Sequence, residues 1–543
     1  MGPFAAGWHE LINAHMTPWR AAVCEAGLGG VMPSYAAVEG SPCHGNHALL
    51  TEQLRERLGF DGIVVSDYGG VAELHDLHLV AASPAEAAER AILAGMDCEL
   101  PDGECYGVHL AALAERDSRV ADAVDRSAAR VLRVKFRLGL FERPYVDEAR
   151  ALDVPAMADE DAAQGAVEGI ILLKNDDGLL PLDPAKLKRV AVIGPHANEN
   201  ILGPYFGMPR YQDNYVDAIR RTLDGIEVVY EEGCRIAGPA IEPDAGEQNL
   251  RDPGKDHSVA RLSTPADDAE SIERAVAAAR GSDVVVLCVG DSFATTKESF
   301  RARPHGDRAD LGLLGSQRYL YGTLRETGVP MVVVLLRMGV IADAELFTTA
   351  STLLDAGCGG QAGPAALASV LVGETEPEGR LPVSVPWSAE YLPAFAGAPA
   401  AARRGYGFCA DQVAFPLGYG LSYTSWSLAE PKLSADHICI GEPAVLTVAI
   451  RNTGRRKGSE VVQVYHHDCC CPLTRPAREL VAFTRVTLDA GGEESLTLDV
   501  PAERMGWYDH EGRPRQEPGE HHFWISIGSD PRGGEMLALQ VVV

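Results

Sequence analysis

The sequence predicts an α/β multidomain protein whose chain ends in an all-β sandwich. Three observations carry that expectation. Apolar, β-branched-rich runs alternate with segments of helical period through residues 1 to about 145. The same alternation returns from about Glu168 to Pro386, and in both regions it is the pattern of parallel strands joined by right-handed crossover helices. From about Ser427 the helical period stops, and short alternating strand runs follow one another between turn-forming residues, as in a sandwich. A chain of 543 residues with 46 % apolar content has ample material for several cores.

In the first region, Glu10 to Ala26 carries apolar residues at helical spacing, and GGVMPSY (Gly29 to Tyr35) reads as a strand ending in a polar residue. Leu49 to Leu58 is helical again. The next segment, GFDGIVVSDYGG (Gly59 to Gly70), is the centre of the pattern. Ile63, Val64 and Val65 suit a parallel strand buried on both faces. Ser66 and Asp67 then stand at its carboxyl end, the edge where loops of α/β sheets converge on a cleft. A carboxylate fixed there suits a nucleophile, a base or a metal ligand, or else a cap for the next helix. An alanine-rich helix (Pro84 to Ala94), a third strand (GMDCELP, Gly95 to Pro101) and a helix from Ser118 to Gly139 complete a βαβαβα series.

The second region offers four strands: RVAVIGP (Arg189 to Pro195), EVVYEEG (Glu227 to Gly233), DVVVLCVG (Asp283 to Gly290) and MVVVLLR (Met331 to Arg337). Helical stretches such as Ala269 to Arg280 and Gln317 to Thr327 lie between them, so an open doubly wound sheet is expected. Ala237 to Asp268 reads as a polar loop. The final region supplies VLTVAIRNTG, EVVQVYHHD, LVAFTRVTL, ESLTLDV and HHFWISIG as strands.

A net charge of −29 repels phosphate backbones and anionic lipid, so nucleic-acid and membrane-surface partners are disfavoured. The N-terminal stretch lacks a basic segment followed by a long apolar core, and no apolar run reaches about 20 residues. With 12 cysteines and no CxxC pair, an intracellular, cytoplasmic protein with reduced thiols is expected. The run His466, His467, Asp468, Cys469, Cys470, Cys471 has ligand residue types. Neighbours on an extended chain point to opposite sides, so six in a row do not converge on one ion, and no metal is expected there.

Together these landmarks resemble glycoside hydrolase family 3, the β-glucosidase and β-xylosidase family. VMPSYAAVEGSPCHGN followed by LLTEQLRERLGFDGIVVSDY is similar to the family's nucleophile region. ILLKNDDGLLPL and KRVAVIGPHAN resemble the opening of its second domain, and GRLPVSVP with FPLGYGLSYTSW its close. RNTGRRKGSEVVQVY resembles the start of a fibronectin type III-like domain. The resemblance implies residues 1–145 as the last three βα units of a (β/α)8 barrel, 146–426 as an α/β/α sandwich, and 427–543 as a fibronectin type III-like β-sandwich. The first five barrel units, with the Asp, Arg and Lys-His groups that grip the sugar, have no counterpart here, so the chain resembles the C-terminal two-thirds of such an enzyme. Three units leave two exposed strand edges, which a homodimer would cover.

The activity implied is that of a retaining, exo-acting β-glycosidase, releasing glucose or xylose from an oligosaccharide or aryl β-glycoside without a cofactor. That chemistry uses two carboxyl groups about 5 Å apart. Asp67 matches the family's nucleophile, with Tyr35 beside it as a hydrogen-bond donor. Glu298, the one glutamate of DSFATTKESFRARPHGDR (Asp291 to Arg308), matches the acid/base. Asp291 and Asp307 are its alternatives, Asp307 being expected to pair with Arg308. Tyr68 offers a face on which a sugar ring stacks. Ala36 and Phe293 depart from the family, which often has Asn and an acidic residue there. Loss of the sugar-gripping groups leaves a silent carbohydrate-binding or scaffold protein, or an inactive fragment, as the alternative. A nucleotide-binding reading has neither GxGxxG nor GxxxxGKS/T to support it.

Overall fold

Three short strands, β1 (Gly30–Val31), β2 (Ile63–Tyr68) and β3 (Cys98–Leu100), pair in parallel in the order β1-β2-β3 in a computed structural model. The structure describes residues 7–151, 159–202, 213–237, 261–291, 295–296, 308, 310–392, 396–397 and 412–543. They fall into two compact units: Met1–Val154 with Gly506–Gln516, and Pro155–Met505 with Glu517–Val543. Among the described residues no helix is long and apolar enough to cross a membrane.

In unit 1, helix α1 (Ala48–Arg57) connects β1 to β2, and α2 (Pro84–Ala94) connects β2 to β3. Ser83 and Pro84 start α2: the Ser83 hydroxyl accepts the Glu86 N–H, and proline at the first turn has no donor to lose. Gly95 ends it in a left-handed conformation that a side chain resists. Ala87, Ala88 and Ala91 are fully buried and pack with Leu50, Leu54, Val64 and Met96, so the small residues let α2 approach the sheet closely. Helices α3 (Tyr106–Ala114) and α4 (Ser118–Arg137) complete the unit's main chain segment.

The remainder of unit 1 comes from far along the sequence. A hairpin pairs Trp507–Tyr508 with Pro514–Arg515. Asn13 holds it by a two-way clasp: its Nδ2 donates to Tyr508 O at 2.9 Å, and its Oδ1 accepts Tyr508 N–H at 2.7 Å. The Arg20 guanidinium lies 3.4 Å from the centre of the Tyr508 ring. Residues 506–516 thus pack in unit 1, although they interrupt the stretch that the sequence reading assigns to the C-terminal sandwich.

Unit 2 holds a six-stranded sheet of β4 (Ile171–Asn175), β5 (Arg189–Ile193), β6 (Glu227–Glu231), β7 (Val284–Gly290), β8 (Met331–Leu336) and β9 (Thr352–Asp355), in the order β4-β9-β8-β7-β5-β6. All neighbours are parallel except β4, which runs antiparallel to β9. Alternate residues feed two cores, as strands covered on both faces require. Val190, Val192, Val286 and Val334 lie in one; Ala191, Ile193, Leu287 and Val333 lie in the other. The doubly wound sheet is as expected, but β4 and β9 were not legible as strands.

The C-terminal part of unit 2 is a sandwich. One sheet is β10 (Trp426–Leu433), β12 (Ala444–Asn452) and β15 (Glu493–Val500); the other joins β11 (His437–Cys439), β17 (Met536–Val542), β16 (Gly519–Ile527), β13 (Gly458–Asp468) and β14 (Glu479–Leu488). Leu446, Val448, Val462, Val464 and Phe523 fill the space between them. Buried polar links dock the sandwich on the six-stranded domain. Arg380 pairs with Glu460 at 2.8 Å, and Gln463 Nε2 donates to Gly418 O at 2.9 Å. Such links, once dry, resist sliding because each lost partner leaves a buried polar group unpaired.

Candidate active site

Strand β2 is clamped at both ends. At its start the buried Asp97 carboxylate accepts the Val64 N–H at 2.8 Å and pairs with Arg55 at 2.6 Å and Arg130 at 2.9 Å. Near its end the Ser66 hydroxyl, fully buried, accepts the Leu100 N–H at 2.8 Å and so ties β2 to β3. Side chains alternate along the strand: Val64 and Ser66 are buried, while Asp67 is half-buried. A residue leaving such a strand is held to within a small angular range, which is what catalytic geometry demands.

The backbone of Asp67 is fixed by a residue the sequence reading passed over. Its N–H donates to His44 Nε2 at 3.1 Å. His44 is almost completely buried, and that burial pulls its imidazole down to about 4 against the attraction of the Asp67 carboxylate. The ring is therefore neutral near pH 7, with Nε2 the acceptor and the proton on Nδ1. Gly70 makes room for it, since a Cβ there would fall 2.2 Å from His44 Nε2. The glycine pair after the strand was the legible sign that something packs closely under the turn.

The Asp67 carboxylate accepts the Tyr68 N–H on Oδ1 at 2.7 Å. Its Oδ2 has no hydrogen-bond partner among the described residues. The arrangement leaves a half-buried, oriented carboxylate with one oxygen available, suited to nucleophilic attack, to proton abstraction or to binding a cation.

Tyr35 and Tyr68 sit beside it. The Tyr35 hydroxyl donates to the Tyr68 carbonyl at 2.7 Å, where the sequence reading has it supporting the Asp67 carboxylate directly. His78 Nε2 in turn donates to the Tyr35 carbonyl at 3.1 Å, and the Tyr35 and His44 rings lie 5.8 Å apart. These contacts position the turn from two sides. Tyr68 is 64 % exposed, so its ring face is accessible to a ligand.

The second candidate segment belongs to unit 2. Glu298, Phe293 and Asp307 lie outside the described residues. Both ends of their segment are described, and both are anchored. Asp291, fully buried at the end of β7, accepts the Met338 N–H at 2.6 Å and the Gly339 N–H at 3.2 Å. It also pairs with Arg308 at 3.1 Å, and Arg308 further donates to the Asp310 and Gly312 carbonyls. The expected pairing of Arg308 with Asp307 falls on a residue outside the described ones; among the described residues Arg308 pairs with Asp291. With its oxygens held by three donors, Asp291 ties the end of β7 to Arg308 and to the 338–339 backbone. Gln317 secures the same strand end by bonding both the N–H and the carbonyl of Gly290 at 2.8 Å.

Residues 170–423 match the glycosyl hydrolase family 3 C-terminal domain, residues 4–134 the family 3 N-terminal domain, and residues 460–529 a fibronectin type III-like domain. A β-xylosidase of Formosa agariphila is 31 % identical over 558 residues, spanning 98 % of this chain and 72 % of that protein. The chain belongs to glycoside hydrolase family 3. A solved β-glucosidase from Erythrobacter marinus superposes with a TM-score of 0.92 at 33 % identity, over 99 % of this chain and 71 % of that one. A β-glucosidase from Listeria innocua in complex with isofagomine gives a TM-score of 0.85 at 26 % identity, over 100 % and 72 %. Asp67 falls within the matched N-terminal domain, and Asp291 and Arg308 within the matched C-terminal domain.

Proposed function

We propose that this family 3 glycoside hydrolase is a retaining, exo-acting β-glycosidase that removes terminal glucose or xylose from the non-reducing end of β-linked glycosides. The observation that carries the reading is the Asp67 carboxylate at a strand end, with its backbone held by His44 and one oxygen unengaged among the described residues. Support for the sugar class comes from relatives described as a β-xylosidase and β-glucosidases.

In this reading an Asp67 oxygen attacks the anomeric carbon while Glu298 gives its proton to the departing glycosidic oxygen. The bond to the leaving group breaks as the aspartyl ester forms. Glu298, now a carboxylate, takes a proton from water, whose oxygen displaces Asp67 and restores the β configuration. Tyr68 presents its exposed ring to the apolar face of the sugar. The turn that carries Tyr68 is steadied by the Tyr35 hydroxyl.

We read the three βα units of unit 1 as the last three of the family's barrel. The parallel order β1-β2-β3 supports this, as does coverage of 72 % of the β-xylosidase relative's length.

The test is hydrolysis of aryl β-glucosides and aryl β-xylosides by the purified chain. A slow 2-deoxy-2-fluoro-glycoside should then label the peptide containing Asp67, seen by mass spectrometry. Turnover untouched by Asp67→Asn, or a label on another carboxylate, overturns the assignment.

A further inference from the structure

The outer face of the C-terminal sandwich gathers metal-ligating side chains from two neighbouring strands. β13 and β16 pair antiparallel with His467 opposite His522 and Asp468 opposite His521. One step further on, the Cys469 N–H donates to the Glu520 carbonyl at 3.1 Å. Because side chains alternate, His466, Asp468, His521 and Phe523 turn into the sandwich and are buried. His467, Cys469, Glu520 and His522 turn the other way and form a two-by-two block.

Within that block the ligand atoms of Cys469, Glu520 and His522 all lie within 4.8 Å of one another. His522 Nε2 already meets Glu520 Oε1 at 2.6 Å, and the His522 ring is braced edge-on against Trp524, with centroids 5.9 Å apart. A tetrahedral ion with bonds of about 2.0–2.3 Å needs ligand atoms somewhat closer than this, a gap that side-chain rotation at Cys469 and Glu520, both exposed, closes. Adjacent His467 donates its Nδ1 proton to the Pro476 carbonyl at 3.0 Å.

We propose that Cys469, Glu520 and His522 form a binding site for a divalent cation of the zinc class. The donor set decides the class. A thiolate and an imidazole select borderline and soft ions, and a single carboxylate does not suffice for magnesium or calcium, which demand oxygen. Three protein ligands leave the fourth position for water. Binding converts the Cys469 thiol to a thiolate, with its proton released to solvent, moves the His522 ring proton from Nε2 to Nδ1 by exchange with solvent, and replaces the hydrogen bond between His522 and Glu520 by two metal bonds. The run of six ligand types in the sequence contributes one residue to this site. Its partners come from the strand alongside, which is why spacing along the chain did not reveal it. The proposal stands independently of the glycosidase reading.

The experiment is titration of the full chain with Co²⁺, read by its thiolate-to-metal charge-transfer absorption, followed by competition with Zn²⁺. One equivalent should bind, Zn²⁺ should displace it, and Cys469→Ser should abolish the band. His522→Ala should weaken binding at least tenfold, while the double variant Cys470→Ala, Cys471→Ala should retain it. Absence of a stoichiometric band, its survival in Cys469→Ser, or its loss in the Cys470/Cys471 variant overturns the proposal. In the unsubstituted chain, Zn²⁺ should slow iodoacetamide alkylation of Cys469 but not of exposed Cys439; equal rates at Cys469 with and without Zn²⁺ also overturn it.

Discussion

Two aspartates stand at the carboxyl ends of parallel strands, Asp67 on β2 and Asp291 on β7, and they have opposite fates. Asp291 is fully buried and engaged by Arg308 and two backbone donors. Asp67 is half-buried, with one oxygen on the next N–H and the other without a hydrogen-bond partner among the described residues. The strand end is therefore a place where a carboxylate is held accurately, but what the carboxylate does depends on who satisfies it. At β7 the protein uses the charge to tie a long segment's stem. At β2 it secures the backbone through His44 and leaves the charge for chemistry.

The sharpest break in the comparison is Asp67→Asn. Activity on an aryl β-glycoside should fall by roughly 10³–10⁵-fold, the scale of losing a nucleophile, while the melting temperature stays nearly unchanged. Asp291→Ala should do the reverse to first order. It strands the buried Arg308 guanidinium, at a cost of about 3–5 kcal/mol in urea unfolding of unit 2. If Asp291→Ala left stability intact, the anchoring role would be wrong.

Acid sharpens the contrast through His44. Its folded value of about 4 lies below its ordinary 6.5, so between these the unfolded chain binds a proton that the folded chain refuses. Stability from this group is complete above pH 6.5 and is lost as pH falls toward 4, by about 3 kcal/mol in all. His44→Gln should flatten the pH dependence of unit 1 unfolding in that window by about this amount. An unchanged slope would show that the imidazole is solvated. The smallest effect is expected for Tyr35→Phe, which removes the bond to the Tyr68 carbonyl. About 1 kcal/mol of stability should go, with kcat/KM reduced less than tenfold and a KM change exceeding that in kcat.

The parts of this pattern legible in the sequence are those with local causes. β2 shows because a β-branched run ends on a polar pair, and α2 because serine, proline and glycine mark its ends. β5, β6, β7 and β8 show as apolar runs long enough to be strands. β9 has only four residues and β4 ends in Lys174 and Asn175, so neither shows by itself. His44 escaped notice because its partner is 23 residues away. The bond from the Tyr35 hydroxyl to the Tyr68 carbonyl was not legible, since a one-residue difference along a turn has no signature in residue type. The Asp291–Arg308 pair had no local sign, since its members stand 17 residues apart.

The hairpin at 507–515 bears on how the molecule is made. Asn13 waits for a backbone partner 495 residues downstream, so the N-terminal part of the chain leaves the ribosome long before its clasp exists. Contacts of such separation form late and slowly. A fragment that stops before residue 506 should expose the surface around Asn13 and Arg20 to proteases, and a peptide covering 506–516, added in trans, should protect it again.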